Sequence, residues 1–93
     1  MADNRAWTAG RMVARELEDL NFVFASREPV TLKVDEAAST IVFQVGYNEL
    51  WVPIRKGKIS EAQALARMIL REKSSHHPAV KLYEDLFALI QSL

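Results

Sequence analysis

Apolar residues recur at two different periods along this chain. From residue 5 to residue 20 they fall at helical spacing, with Trp7, Gly10, Val13, Ala14, Leu17 and Leu20 on one side and Arg11, Arg15, Glu18 and Asp19 on the other. This is the pattern of an amphipathic helix that lays one stripe on a core. Asp3 or Asn4 can accept hydrogen bonds from the free amides of its first turn, and Arg15 with Asp19 makes an i,i+4 pair. Gly10 weakens such a helix by about 1 kcal/mol relative to alanine, which suggests a close approach there. The stretch "NFVFASREP" breaks the pattern: Phe22 and Phe24 are expected to tuck under the next element, and Pro29 ends any helix.

From Val30 the period changes to two. Val30, Leu32 and Val34 share one side, as do Ile41, Phe43 and Val45, and then Leu50, Val52 and Ile54, which predicts three strands. Pairing 34 with 41, 32 with 43 and 30 with 45 leaves "EAAS" as a four-residue loop. Pairing 45 with 50, 43 with 52 and 41 with 54 leaves Tyr47-Asn48 as a two-residue turn, where asparagine tolerates positive φ. Both registers put all nine apolar side chains on one face, and a slip by one residue would flip a whole strand. Pro53 cannot donate to a ladder, which suits an edge position for the third strand.

Two helices follow. Ser60 with Gln63 three residues later reads as a capping box. Behind it Ala62, Leu65, Ala66 and Ile69 form an inward stripe bordered by Met68 and Leu70. Pro78 suits the first position of a last helix over residues 78–93. That helix carries two apolar seams, one of Val80, Tyr83, Phe87 and Ile90 and the other of Ala79, Leu82, Leu86, Leu89 and Leu93. Apolarity over more than half the wheel implies burial on several sides. One seam belongs to this chain's own core, and the other is expected to be covered by the preceding helix or to be a homodimer interface with Phe87 and Ile90 at its centre. The expected fold is α+β in the order α-β-β-β-α-α, a three-stranded antiparallel meander with helices packed on one face, and residues 1–93 are read as a single compact domain.

Composition narrows the chemistry. With 93 residues, of which 49% are hydrophobic, the chain can bury one modest core and leaves little room for a deep enclosed pocket. The absence of cysteine removes disulfides, thiolate metal sites and cysteine nucleophiles. The N-terminal residues lack a basic region followed by an apolar stretch, and no apolar run reaches the roughly 18 residues of a membrane span. A soluble, cytoplasmic protein with no membrane contact is expected. Formal charge is zero, but it is unevenly placed: the first 50 residues sum to −3 and the rest to +3. Arg55, Lys56 and Lys58 make a basic turn within the positive half, which can hold an acidic partner or serve as a solvated surface.

Helices on the apolar side of the sheet leave an opposite face of Thr31, Lys33, Asp35, Val42, Gln44, Trp51 and Pro53. A tryptophan on an otherwise polar face is a contact anchor of the kind enriched at binding hot spots. The alternative is that helix ends or the N-terminal arm wrap over it. Trp51, Gln44 and Lys33, together with Arg55, Lys56 and Lys58, are therefore the candidate partner-binding residues, and another protein is the expected partner.

Catalytic and metal chemistry find less to work with. There is no glycine-rich phosphate loop and no nucleophile motif, and the acidic pairs 18/19, 35/36 and 84/85 are sequence neighbours whose side chains diverge. The chain's two histidines, His76 and His77, lie together in "SSHHP". Helical metal sites use i,i+3 or i,i+4 spacing, so this pair reads as a connector between helices. No enzyme activity, cofactor or metal is expected.

A helix, three antiparallel strands and a helix opened by "GKISEAQALA" resemble the α-β-β-β-α order of the double-stranded-RNA-binding domain, over about residues 5–73. The resemblance implies a nucleic-acid partner as the alternative function. The chain departs from that family where phosphate is gripped: Ser60, Glu61 and Gln63 replace its lysine cluster, only Lys56 and Lys58 lie nearby, and "DEAAS" replaces its minor-groove loop.

Overall fold

The computed structural model describes residues 10–73 and 80–90. In chain order the elements are β1 (Gly10–Val13), α1 (Leu17–Phe24), β2 (Val30–Asp35), β3 (Thr40–Val45), β4 (Asn48–Pro53), α2 (Ile59–Lys73) and α3 (Val80–Ala88). The four strands form one mixed sheet in the order β1-β4-β3-β2.

The period-two segments form the antiparallel meander that their alternation requires. β2 and β3 pair in the expected register, Val30 with Val45, Leu32 with Phe43 and Val34 with Ile41. Its connecting turn, residues 36–39, is held by the Asp35 carboxylate, which accepts from the Ala38 N–H at 3.1 Å. Ser39 takes φ +50° there, and its hydroxyl donates to the Ile54 carbonyl at 2.8 Å.

The β3–β4 register differs from the expected one by two residues. Val45 pairs with Asn48, Phe43 with Leu50 and Ile41 with Val52, so the turn is Gly46-Tyr47 instead of Tyr47-Asn48. The reason is local: Gly46 takes φ +61°, and glycine at the first central position is what one class of two-residue hairpin turn demands. A slip of two preserves the faces, so the buried set is unchanged.

The N-terminal segment departs furthest from the expected helix. Residues 10–13 are a strand parallel to β4, pairing Arg11 with Glu49 and Val13 with Trp51, and the Ala14 N–H extends the ladder by donating to the Trp51 carbonyl at 2.8 Å. Met12 is half-buried and Ala14 buried, while Arg11 and Val13 are exposed, an alternation of period two that the coincident helical spacing hides. Gly10 has φ +148°, a conformation open to glycine and strained for other residues. The helix begins at Leu17 and runs on through "NFVF", because Leu20, Val23 and Phe24 continue the stripe and are buried. Asp19 starts it: its carboxylate accepts from the backbone N–H groups of Arg15 at 2.8 Å and Glu16 at 3.1 Å. Of the two phenylalanines expected to tuck in, Phe24 does, and Phe22 stays 44% exposed.

β1 also changes the place of β4, which is an inner strand and not an edge. Pro53 is tolerated because β1 pairs with β4 only as far as Trp51. Ladder pairing at Pro53 is then to β3 alone, through Thr40.

All three helices lie on the apolar side of the sheet. Phe43, Ile41, Leu50 and Val52 from the strands, with Ile54 just past β4, meet Leu20 and Val23 of α1, Ala62, Ala66 and Ile69 of α2, and Leu86 of α3 in one core. Phe24 joins the layers, edge-on to Phe43 at 5.0 Å and stacked on Tyr83 at 5.3 Å between ring centres. α2 starts two residues earlier than the capping-box reading places it: Ser60 lies in the first turn, and the Lys58 carbonyl accepts the first intrahelical bond from the Ala62 N–H. The last helix is shorter than expected, ending at Ala88. Ile90 then pairs with Ile54 as an antiparallel bridge, and the Arg55 N–H donates to the Leu89 carbonyl at 2.6 Å. Residues 91–93 and the "SSHHP" connector lie outside the described residues.

Candidate functional site on the open sheet face

The sheet's second face carries two rows of side chains, each running across all four strands. One row is Val13, Trp51, Val42 and Lys33; the next is Arg11, Glu49, Gln44 and Thr31. The parallel register of β1 brings Arg11 into this array. Arg11 and Glu49 lie outside the site that the sequence predicts: local spacing puts Arg11 on the solvent side of a helix, and Glu49 needs only the i,i+2 rule from Trp51.

Trp51 is partly buried and held in place from two sides. Its indole N–H donates to Glu49 Oε1 at 2.9 Å, and the Arg11 guanidinium sits 4.4 Å from the ring centre, a cation–π geometry. Glu49 is the hub. Its Oε1 lies 4.0 Å from Arg11 Nε, and its Oε2 lies 3.6 Å from Lys33 Nζ, which reaches across β3. The Trp51 hydrogen bond, the largest effect, holds the Glu49 carboxyl below its ordinary value of 4.5; burial, the next in size, opposes it, and Lys33 and Arg11 add to the lowering. The indole therefore spends its one donor inside this cluster and offers a partner its apolar surface.

Of the six predicted partner-binding residues, Trp51, Gln44 and Lys33 share this face. Arg55, Lys56 and Lys58 are exposed and follow directly where the Trp51 strand leaves the sheet at Pro53. Lys58 is paired with Glu61 at 3.5 Å. Arg55 and Lys56 have no ion-pair partner among the described residues. Phe87 and Ile90 are elsewhere, half-buried on the helical side and packed against the chain's own core.

Among the described residues, no three His, Asp or Glu side chains come together in a way that could hold a metal ion. His76 and His77 lie outside those residues. Among the same residues, no helix is long and apolar enough to cross a membrane. No known protein family, no curated protein and no solved structure matches this chain.

Proposed function

We propose that this domain is a non-catalytic protein-interaction module that docks an acidic segment of a partner protein along its open sheet face. The observation that carries the reading is the immobilised Trp51. An aromatic ring whose donor is already bonded, and whose position is fixed by Arg11 and Glu49, loses little freedom on binding, which is the property of an interface anchor. The partner's sign follows from the surrounding charge. Glu49 is neutralised by Lys33 and Arg11, and Asp35 is engaged by its own turn. Arg55 and Lys56 are left to attract carboxylates.

The fold adds a supporting argument. The helices all pack on the other face, so the side chains presented here are not spent on the main core. Self-association through Phe87 and Ile90 would use the opposite side of the molecule, and a second copy could cover only the half of each side chain that the core leaves exposed.

A displayed peptide library selected on the immobilised domain tests the reading. Enrichment of acidic sequences that contain an apolar anchor, lost when the bait carries Trp51→Ala or the pair Arg55→Glu and Lys56→Glu, is the expected result. Enrichment that these baits retain would overturn it.

A further inference from the structure

Away from the Trp51 face, a cleft of about 310 Å³ opens between the C-terminal end of α1 and the β3–β4 hairpin, lined by Phe22, Ala25, Ser26, Glu28, Val45 and Asn48. Its size suits a small fragment or one long side chain. Among the described residues that line it, three bring polar side chains, each with an oxygen that can accept. Glu28 brings a carboxylate that lies over Gly46, where a Cβ would stand 2.7 Å from Glu28 Oε1. Asn48 brings a side-chain oxygen that is buried with no hydrogen-bond partner. The hydroxyl of Ser26 already accepts from the Glu28 N–H at 3.1 Å. α1 ends here with no basic residue in its last turn, so the helix's own residues place no cation at the negative end of its dipole. Arg27, the cation adjacent in sequence, is exposed and does not line the cleft.

Acceptors and a carboxylate beside apolar walls are complementary to a donor that is positive and carries carbon. We propose that this cleft binds an organic cation, an alkylammonium or guanidinium group. Its carbon stem lies against the apolar wall that Phe22 and Val45 provide. The charged head pairs with Glu28, and a small rotation of the Asn48 amide gives its orphan oxygen a donor. The site is separate from the Trp51 face and stands whether or not that face docks a partner.

Two-dimensional amide NMR of the full chain, titrated with benzylammonium, with its neutral analogue benzyl alcohol and with a blocked tripeptide containing one lysine, tests the proposal. The expected result is saturable shifts confined to residues 22–28 and 45–48 with a cationic probe. Affinity should be at least fivefold weaker for benzyl alcohol and for the Glu28→Gln variant. Glu28 is an exposed side chain, and the same spectra report whether the variant is folded. Tighter binding of benzylammonium identifies a free amine as the ligand class, and tighter binding of the tripeptide identifies a protein side chain. Equal binding of the alcohol, undiminished binding by Glu28→Gln, or no saturable shift with either cation would overturn the assignment.

Discussion

The Arg11 guanidinium lies 4.4 Å from the centre of the Trp51 ring, although neither residue is the other's direct neighbour in the ladder. Parallel pairing sets Arg11 opposite Glu49 and Trp51 opposite Val13, so the contact is a diagonal one made possible by the length of the arginine. Trp51 is thus positioned by a strand from the far end of the sequence. Arg11→Ala should cost about 0.5–1 kcal/mol, the worth of an exposed cation–π pair. It should also shift Trp51 fluorescence to the red, read in a Trp7→Phe background that leaves Trp51 as the one tryptophan. Unchanged emission would show that the ring is held without Arg11.

Glu49 gives this face a pH dependence. Its carboxyl is held below 4.5 in the folded protein, chiefly by the Trp51 hydrogen bond. A lowered folded value means that the ionised form favours folding: the contribution is complete above about 4.5 and disappears as pH falls through the lower folded value. Wild type should therefore be more stable than Glu49→Gln at about pH 6, with the gap closing as pH falls below 4.5. Urea denaturation at both values measures this, and a gap that widens in acid would contradict the assigned cause.

α3 is attached through Leu86, which is fully buried, and through the short bridge that Ile90 makes to Ile54. Leu86→Ala should destabilise the protein by about 2–5 kcal/mol, the range for buried leucine truncation. Against a total of roughly 5–15 kcal/mol for a small domain, that leaves little in reserve. Thermal or urea unfolding measures it, and a loss below about 1 kcal/mol would mean that the helix is not part of the cooperative core.

Duplex RNA should bind weakly or not at all. The order α1-β2-β3-β4-α2 keeps the α-β-β-β-α succession of the resembling RNA-binding family. The start of α2, however, presents Ser60 and Glu61, and Glu61 is paired with Lys58. A mobility-shift titration at low salt should show no shift at micromolar protein; binding that weakens steeply with added salt would restore the nucleic-acid reading.

The β2–β3 register and the buried stripe of α2 are legible in the sequence, the first because a four-residue loop joins two alternating runs and the second because Ala62, Ala66 and Ile69 recur at helical spacing. Two other features were hidden for different reasons. The Gly46-Tyr47 turn competed with Tyr47-Asn48 one residue along, which moves the register by two and preserves every face, so alternation does not separate them and only the glycine at the first central position does. β1 carries four residues whose apolar positions also fit a helix, and its identity is fixed by a partner strand far along the chain, which local periodicity does not encode. The candidate face was half visible for the same reason. Trp51, Gln44 and Lys33 follow from the meander, whereas the contribution of Arg11 depends on a parallel pairing that no local signal announces.

The most direct test of the docking proposal is amide chemical-shift mapping of the domain with an acidic peptide recovered by selection. Shifts centred on Arg11, Lys33, Gln44, Trp51 and Arg55 are predicted, with affinity falling at least tenfold in Trp51→Ala and in the Arg55→Glu, Lys56→Glu pair while both variants keep the wild-type fold. Shifts confined to the helical side, or an affinity indifferent to these substitutions, would contradict it.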